Sequence, residues 1–204
     1  MHKRNALSSC PVIIATGGAN LASLIFALKR LGNEPVVSED PKVIKMASHI
    51  ILPGVGAARD AMSRLKATNL TSLIPNLKQP VLGICLGLQL LYSGSEEDNA
   101  TCLNIIPGYA SRFPKKTGLP VPQMGWNSLT NVKRTPLMNG VRDGDYAYFI
   151  HSYALPINEH TYVTANYGES FSAVVQYNNF YATQFHPERS SSVGSLILSN
   201  FLNI

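Results

Sequence analysis

Cysteine is scarce in this chain: three occur, at positions 10, 85 and 102, with no C-x-x-C pair and no even set to cross-link. That excludes a disulfide framework and points to a reducing compartment, so a cytoplasmic protein is expected. Charge is scarce as well. Only 14% of residues are charged against 45% hydrophobic, which fits a well-buried globular domain. The net charge of +5 is mild and its basic residues are scattered, as at Lys3, Lys29, Lys42, Arg64 and Lys66. A nucleic-acid surface would cluster them with interleaved aromatics, so no nucleic-acid partner is expected.

Long apolar runs are missing too. The most apolar stretch, Val81 to Tyr92, is about half of the ~20 residues that span a bilayer, and it contains Gln89. The start Met1-His2-Lys3-Arg4 mimics a charged signal region, yet the apolar run after Cys10 is only about five residues, short of the roughly 7–15 a signal needs. Neither a membrane nor a secretory route is expected. There is no G-x-x-x-x-G-K-[ST], and the five histidines show no metal-ligand spacing. Gly54-x-Gly56-x-x-Arg59 lacks the third glycine of a dinucleotide fingerprint. No metal and no cofactor are therefore expected.

What the chain does carry is Gly83-Ile84-Cys85-Leu86-Gly87, one thiol between two glycines where the apolar strand Pro80–Ile84 gives way to an apolar helix from Leu86 to Tyr92. This is the cysteine form of a nucleophile elbow. So sharp a reversal strains the nucleophile's backbone and needs neighbours without a Cβ. The geometry pushes the sulfur out at the top of a sheet, and the unpaired N–H groups of the helix start favour a thiolate. The N–H of Leu86 then points to where an oxyanion would form. Taken alone, such a thiol reads equally well as a buried small hydrophobe. A base decides between the two. Tyr181-Ala182-Thr183-Gln184-Phe185-His186-Pro187-Glu188 alternates like a strand and ends in His-Pro-Glu. Residues two apart in an extended chain share a face, so His186 and Glu188 would stand side by side. Cys85 as nucleophile, His186 as base and Glu188 as its orienting carboxylate make a triad.

Five stretches extend the pattern: Leu52-Pro53-Gly54-Val55-Gly56, Gly83 to Leu91, Pro122-Gln123-Met124-Gly125-Trp126-Asn127, Phe149-Ile150-His151-Ser152-Tyr153, and Gln184 to Ser190. In this order they resemble the class I glutamine amidotransferases, and within them the glutaminase subunits of histidine biosynthesis. The resemblance runs from about Val12 to the C-terminus. It implies hydrolysis of L-glutamine to glutamate and ammonia through a thioester, in a heterodimer with a cyclase subunit that consumes the ammonia. It matches Cys85, His186 and Glu188 to the family triad, and adds Val55 and Gly56 to Leu86 as oxyanion donors. It matches Gly54, Gln89, Glu97, His151, Ser152 and Tyr153 to the substrate site. Gln123 stands where many relatives carry His, and Ile14-Ala15-Thr16-Gly17-Gly18-Ala19-Asn20 departs from the commoner opening. Neither touches the matched triad. A cysteine hydrolase of similar fold acting on peptides or esters, or the glutaminase subunit of another amidotransferase, is the competing reading.

The remaining pattern predicts an α/β fold: a parallel central sheet with helices on both faces and a β-rich C-terminal half, the flavodoxin-like arrangement of the class I family. Buried-strand patterns at Pro11–Thr16, Pro35–Ser38 and His49–Leu52 alternate with helical spacing after Asn20, after Asp40-Pro41 and from Ala57 to Lys66. Strands follow at 147–155, 161–166, 173–176 and 181–185, then a closing helix from Val193 to Phe201. The Pro- and Gly-rich region 104–134 gives no firm assignment. Residues 1–11 read as a flexible leader before a single domain over 12–204.

Overall fold

The computed structural model describes residues 10–15, 21–54, 56–114 and 118–204. Asn20, Val55 and the first nine residues of the expected leader lie outside the described residues. The chain opens with β1 (Pro11–Ile14), α1 (Leu21–Arg30), β2 (Val36–Ser38), α2 (Pro41–Met46), β3 (His49–Gly54), α3 (Ala58–Ala67), α4 (Leu70–Leu73), β4 (Val81–Cys85) and α5 (Leu86–Leu91). Pro11, assigned to the leader on sequence, is the first residue of β1, and the Cys10 carbonyl accepts from the Ser48 N–H at 3.3 Å. Asp40 caps α2 as its sequence suggests, its Oδ1 accepting from the Lys42 N–H at 2.8 Å, with Pro41 opening the helix.

Next come β5 (Tyr92–Ser95), β6 (Ala100–Thr101), β7 (Ile106–Arg112), β8 (Gln123–Ser128), β9 (Tyr146–His151), β10 (Tyr153–Ala154), β11 (Thr161–Asn166), β12 (Ser170–Tyr177), β13 (Phe180–Thr183) and α6 (Ser191–Leu202). The main sheet runs β11-β12-β13-β4-β3-β1-β2. From β13 to β2 every pairing is parallel, and β11 and β12 extend it antiparallel. Because β1 and β4 are buried on both faces, they read as unbroken apolar runs with no alternation. Val12, Ile50, Leu52 and Val81 point into one core layer with Ile44, Leu65 and Leu88. Ile13, Ile51, Leu82 and Ile84 point into the other, with Leu28, Phe149, Leu198 and Phe201.

Two sequence expectations are corrected. The helix after the elbow stops at Leu91, and Tyr92 begins β5. The carbonyls of Leu90, Leu91 and Tyr92 accept from the N–H groups of Leu103, Ile105 and Asn104 at 2.9 Å each, so a later segment takes the bonds that would have lengthened the helix. The unassigned region 104–134 supplies β7, in a four-stranded sheet ordered β10-β7-β5-β6, and β8, paired with β9. The β8–β9 ribbon lays Ala147, Phe149 and His151 on the core and leaves Met124, Trp126 and Tyr146 exposed. Its His151 end abuts the elbow.

Candidate active site

The strain of the elbow falls on Cys85 itself, at φ 55° and ψ −108°, a region a side chain rarely enters. The glycines around it serve close packing. A Cβ on Gly87 would lie 1.8 Å from the Leu52 carbonyl oxygen, and one on Gly83 would lie 2.8 Å from the Gly87 carbonyl. Gly54 ends β3 opposite Cys85, and its missing Cβ leaves room for Leu86, whose own Cβ would be 2.6 Å away.

His186 is positioned from β9. Its N–H donates to the Tyr148 carbonyl at 2.9 Å, and its own carbonyl accepts from Ser190 Oγ at 2.7 Å, while that hydroxyl accepts from the Tyr148 N–H. Strand β13 ends at Thr183, and Pro187–Arg189 form a single 3₁₀ turn. The expectation that His186 and Glu188 share the face of an extended strand is therefore corrected. The turn brings them together, with His186 Nδ1 donating to Glu188 Oε1 at 2.9 Å and both side chains nearly enclosed. Nδ1 is thereby committed, leaving Nε2 for any further contact.

Cys85 and His186 line the same cavity of about 280 Å³. The thiol is turned to the Ile150 carbonyl at 3.6 Å, and His186 Nε2 is buried with no partner in full hydrogen-bond geometry among the described residues. The sulfur is nonetheless close enough to govern the imidazole electrostatically. Burial pulls the His186 pKa down, but the Cys85 sulfur and the Glu188 carboxylate together outweigh it and raise the pKa to about 10.

Gly56, Leu86, Gln89, Glu97, His151, Ser152 and Tyr153 also line this cavity; Gly54 lies behind Leu86, and Val55 lies outside the described residues. Two of these have further duties. Glu97 Oε2 accepts from the Ala58 N–H at 2.9 Å, capping the start of α3, where Ala57 offers no side-chain cap. Burial raises the Glu97 pKa and that N–H opposes the rise. His151 packs its ring against Phe113, Phe149 and Phe171 at centroid distances of 5.1, 5.7 and 5.2 Å. Its Nδ1–H donates to the Tyr153 carbonyl at 2.8 Å, and burial lowers its pKa to about 4, so the ring is neutral. Sequence reasoning missed Ile150 and Pro122, which line the cavity, and Gln184, whose Nε2 lies 3.9 Å from the Cys85 sulfur. Gln184 sat inside a quoted motif, but nothing local marks a strand residue as facing a distant thiol.

A larger cavity of about 840 Å³ lies between Val132–Val141 and the end of α6, without a cysteine or histidine in its lining. Among the described residues no group of three or more His, Cys, Asp or Glu could hold a metal ion, and no helix is long and apolar enough to cross a membrane.

The family described as "Glutamine amidotransferase class-I" matches residues 16–204. A relative in Haemophilus influenzae named "Imidazole glycerol phosphate synthase subunit HisH" is 51% identical over 93% of this chain and 95% of its own length. The protein of the same name in Colwellia psychrerythraea is 45% identical over 95% and 92%. Among solved structures, one titled "Crystal structure of glutamine amidotransferase" superposes with a TM-score of 0.73 at 18% identity, covering 95% of this chain and 97% of that one. The structure of PurLQS from Thermotoga maritima gives a TM-score of 0.68 at 20% identity over 95% and 97%. At such identities these two likenesses speak for the fold alone.

Proposed function

Because this chain belongs to the class I glutamine amidotransferase family, we propose that it is the glutaminase subunit of an imidazole glycerol phosphate synthase, acting in histidine biosynthesis with a cyclase subunit. The observation that carries this reading is the single cavity holding Cys85 and the Glu188-oriented imidazole of His186, in a chain 45–51% identical to named subunits of that enzyme over nearly its whole length. Cys85 attacks the side-chain amide carbon of L-glutamine. The N–H groups of Leu86, Gly56 and Val55 hold the oxyanion, and protonated His186 delivers its Nε2 proton to the departing ammonia. The neutral imidazole then takes a proton from water as the water's oxygen attacks the thioester carbon; the C–S bond breaks, releasing glutamate and restoring the Cys85 thiolate beside protonated His186. Gln89, Glu97 and the main chain of His151, Ser152 and Tyr153 hold the substrate's polar groups, with Gly54 shaping the turn beside them.

Ammonia released into water is protonated and lost to further chemistry, which favours a docked consumer. The exposed face of the β8–β9 ribbon suits such docking. Met124, Trp126 and Tyr146 are exposed, Arg189 stacks over Tyr148 at 4.5 Å, and Ile150 on the same face lines the cavity. We place the pair in the cytoplasm, with one amidotransferase domain that runs from Pro11, the first residue of β1, to residue 204. No nucleic acid, membrane, metal or cofactor enters this scheme.

The test is glutamine hydrolysis by wild type and Cys85→Ala, each with and without the cyclase subunit. Wild type is expected to turn over with its partner present and Cys85→Ala to lose essentially all turnover. Equal glutamate release by the two proteins would sink the assignment.

A further inference from the structure

Gln184 follows the last residue of β13 and is wholly buried. Its main-chain N–H is satisfied by the Ala173 carbonyl at 2.9 Å, so its side chain has no ladder duty. A carboxamide enclosed this completely is costly unless paired, and methionine or leucine would fill a similar volume without that demand. Among the described residues its partners are two. Its Nε2 donates to the Cys85 sulfur at 3.9 Å, and its Oε1 accepts from Gln89 Nε2 at 3.5 Å. Both contacts are long, and both end on groups that line the cavity.

The second contact acts with the Tyr153 carbonyl in setting which way the Gln89 amide faces. A carboxamide nitrogen has two hydrogens. One goes to the Tyr153 carbonyl at 3.1 Å, the other to Gln184 Oε1. The Tyr153 carbonyl is itself held by His151 Nδ1–H at 2.8 Å, from a ring fixed in place by the aromatic packing around it. With both hydrogens committed, Gln89 has its carbonyl oxygen left to offer a ligand. The group it meets must then be a hydrogen donor.

We propose that Gln184 is a positioning residue for the glutaminase reaction: its buried carboxamide holds the Cys85 sulfur from one end and, from the other, fixes Gln89 with its carbonyl oxygen turned to the substrate. The inference depends on the function proposed above and adds a residue to it. Losing Gln184's amide frees Gln89 to rotate and present N–H to a substrate donor, which weakens binding, and removes one donor from the sulfur, which slows its reaction.

The test uses the heterodimer with Gln184→Met and Gln184→Leu, read in whichever variant keeps the wild-type melting temperature. The KM for glutamine is expected to rise about tenfold, the effect of losing one well-placed hydrogen bond. Alkylation of Cys85 by iodoacetamide should slow severalfold. Adding Gln184→Met to Gln89→Met should raise KM little further, because the first residue acts through the second. Wild-type KM with a wild-type alkylation rate, or effects of the two substitutions on KM that simply multiply, would overturn the proposal. Should wild type with its cyclase release no glutamate from glutamine, the proposed function fails instead. The alkylation comparison then still decides whether Gln184 holds the sulfur.

Discussion

On the proposed mechanism Cys85, and after it Glu188, set the upper end of the pH range over which His186 acts as an acid. Burial lowers the imidazole's pKa, and Cys85 and Glu188 overcome this to bring it to about 10, so His186 carries a proton at neutral pH and loses it only in alkaline solution. On the proposed mechanism kcat/KM falls on the alkaline side as that proton leaves. Removing one raising influence moves the limb downward, so Glu188→Gln is expected to lose activity at a lower pH than wild type. A pH–rate profile of the two proteins with the cyclase checks this; coincident alkaline limbs would refute it. His151 makes a prediction of opposite sense. Its pKa is about 4 in the folded protein, lowered by burial from an ordinary 6.5. Below pH 6.5 the unfolded chain binds a proton that the native ring refuses, so stability present above 6.5 declines as pH falls toward 4, by about 3 kcal/mol at the lower end. Urea unfolding at pH 7 and pH 4.5 measures this. His151→Gln, which keeps a donor for the Tyr153 carbonyl, should flatten the dependence.

At the scale of elements, the elbow is a close packing of α5 on β3 and β4, achieved by leaving out side chains. A methyl group on Gly87 would overlap the Leu52 carbonyl at 1.8 Å, and neither backbone can yield without moving the strand that carries the Gly54 turn. Gly87→Ala is expected to cost on the order of 3 kcal/mol. Gly32→Ala, at φ +79° with open space around it, should cost only about 1 kcal/mol. Chemical denaturation distinguishes them, and similar losses for both would show that strain at the helix junction is absorbed elsewhere. The motif around Cys85 was legible because each requirement lies within five residues. The His186–Glu188 pairing was legible as a pair and misread as geometry. A proline after histidine signals the end of a ladder, but extended chain and 3₁₀ turn both satisfy that signal locally.

Across the whole molecule, what matters is how the β8–β9 ribbon joins the cavity to the outer surface. Trp126 is 53% exposed and packs edge-on to Tyr148 with ring centroids 6.0 Å apart, so it contributes little to the core. If this face receives the cyclase, Trp126→Ala should weaken the heterodimer by about 30-fold, about 2 kcal/mol, while leaving the melting temperature of the isolated chain unchanged. Titration calorimetry against the cyclase subunit measures this; unchanged affinity would move the docking face elsewhere.

Residues 80–91 and 184–190 carried in their order the proposed nucleophile, base and orienting carboxylate, because an elbow and a strand end are built from near neighbours and small residues betray them. The alternation of apolar strands with amphipathic helices likewise stated the sheet. Folding alone decided that Glu97 reaches across 39 positions to cap Ala58, that Gln184 touches both Cys85 and Gln89, and that His151 loses its proton inside an aromatic cluster. Each depends on groups far apart along the chain, whose meeting is fixed by packing and the removal of water, and neither leaves a mark on local sequence.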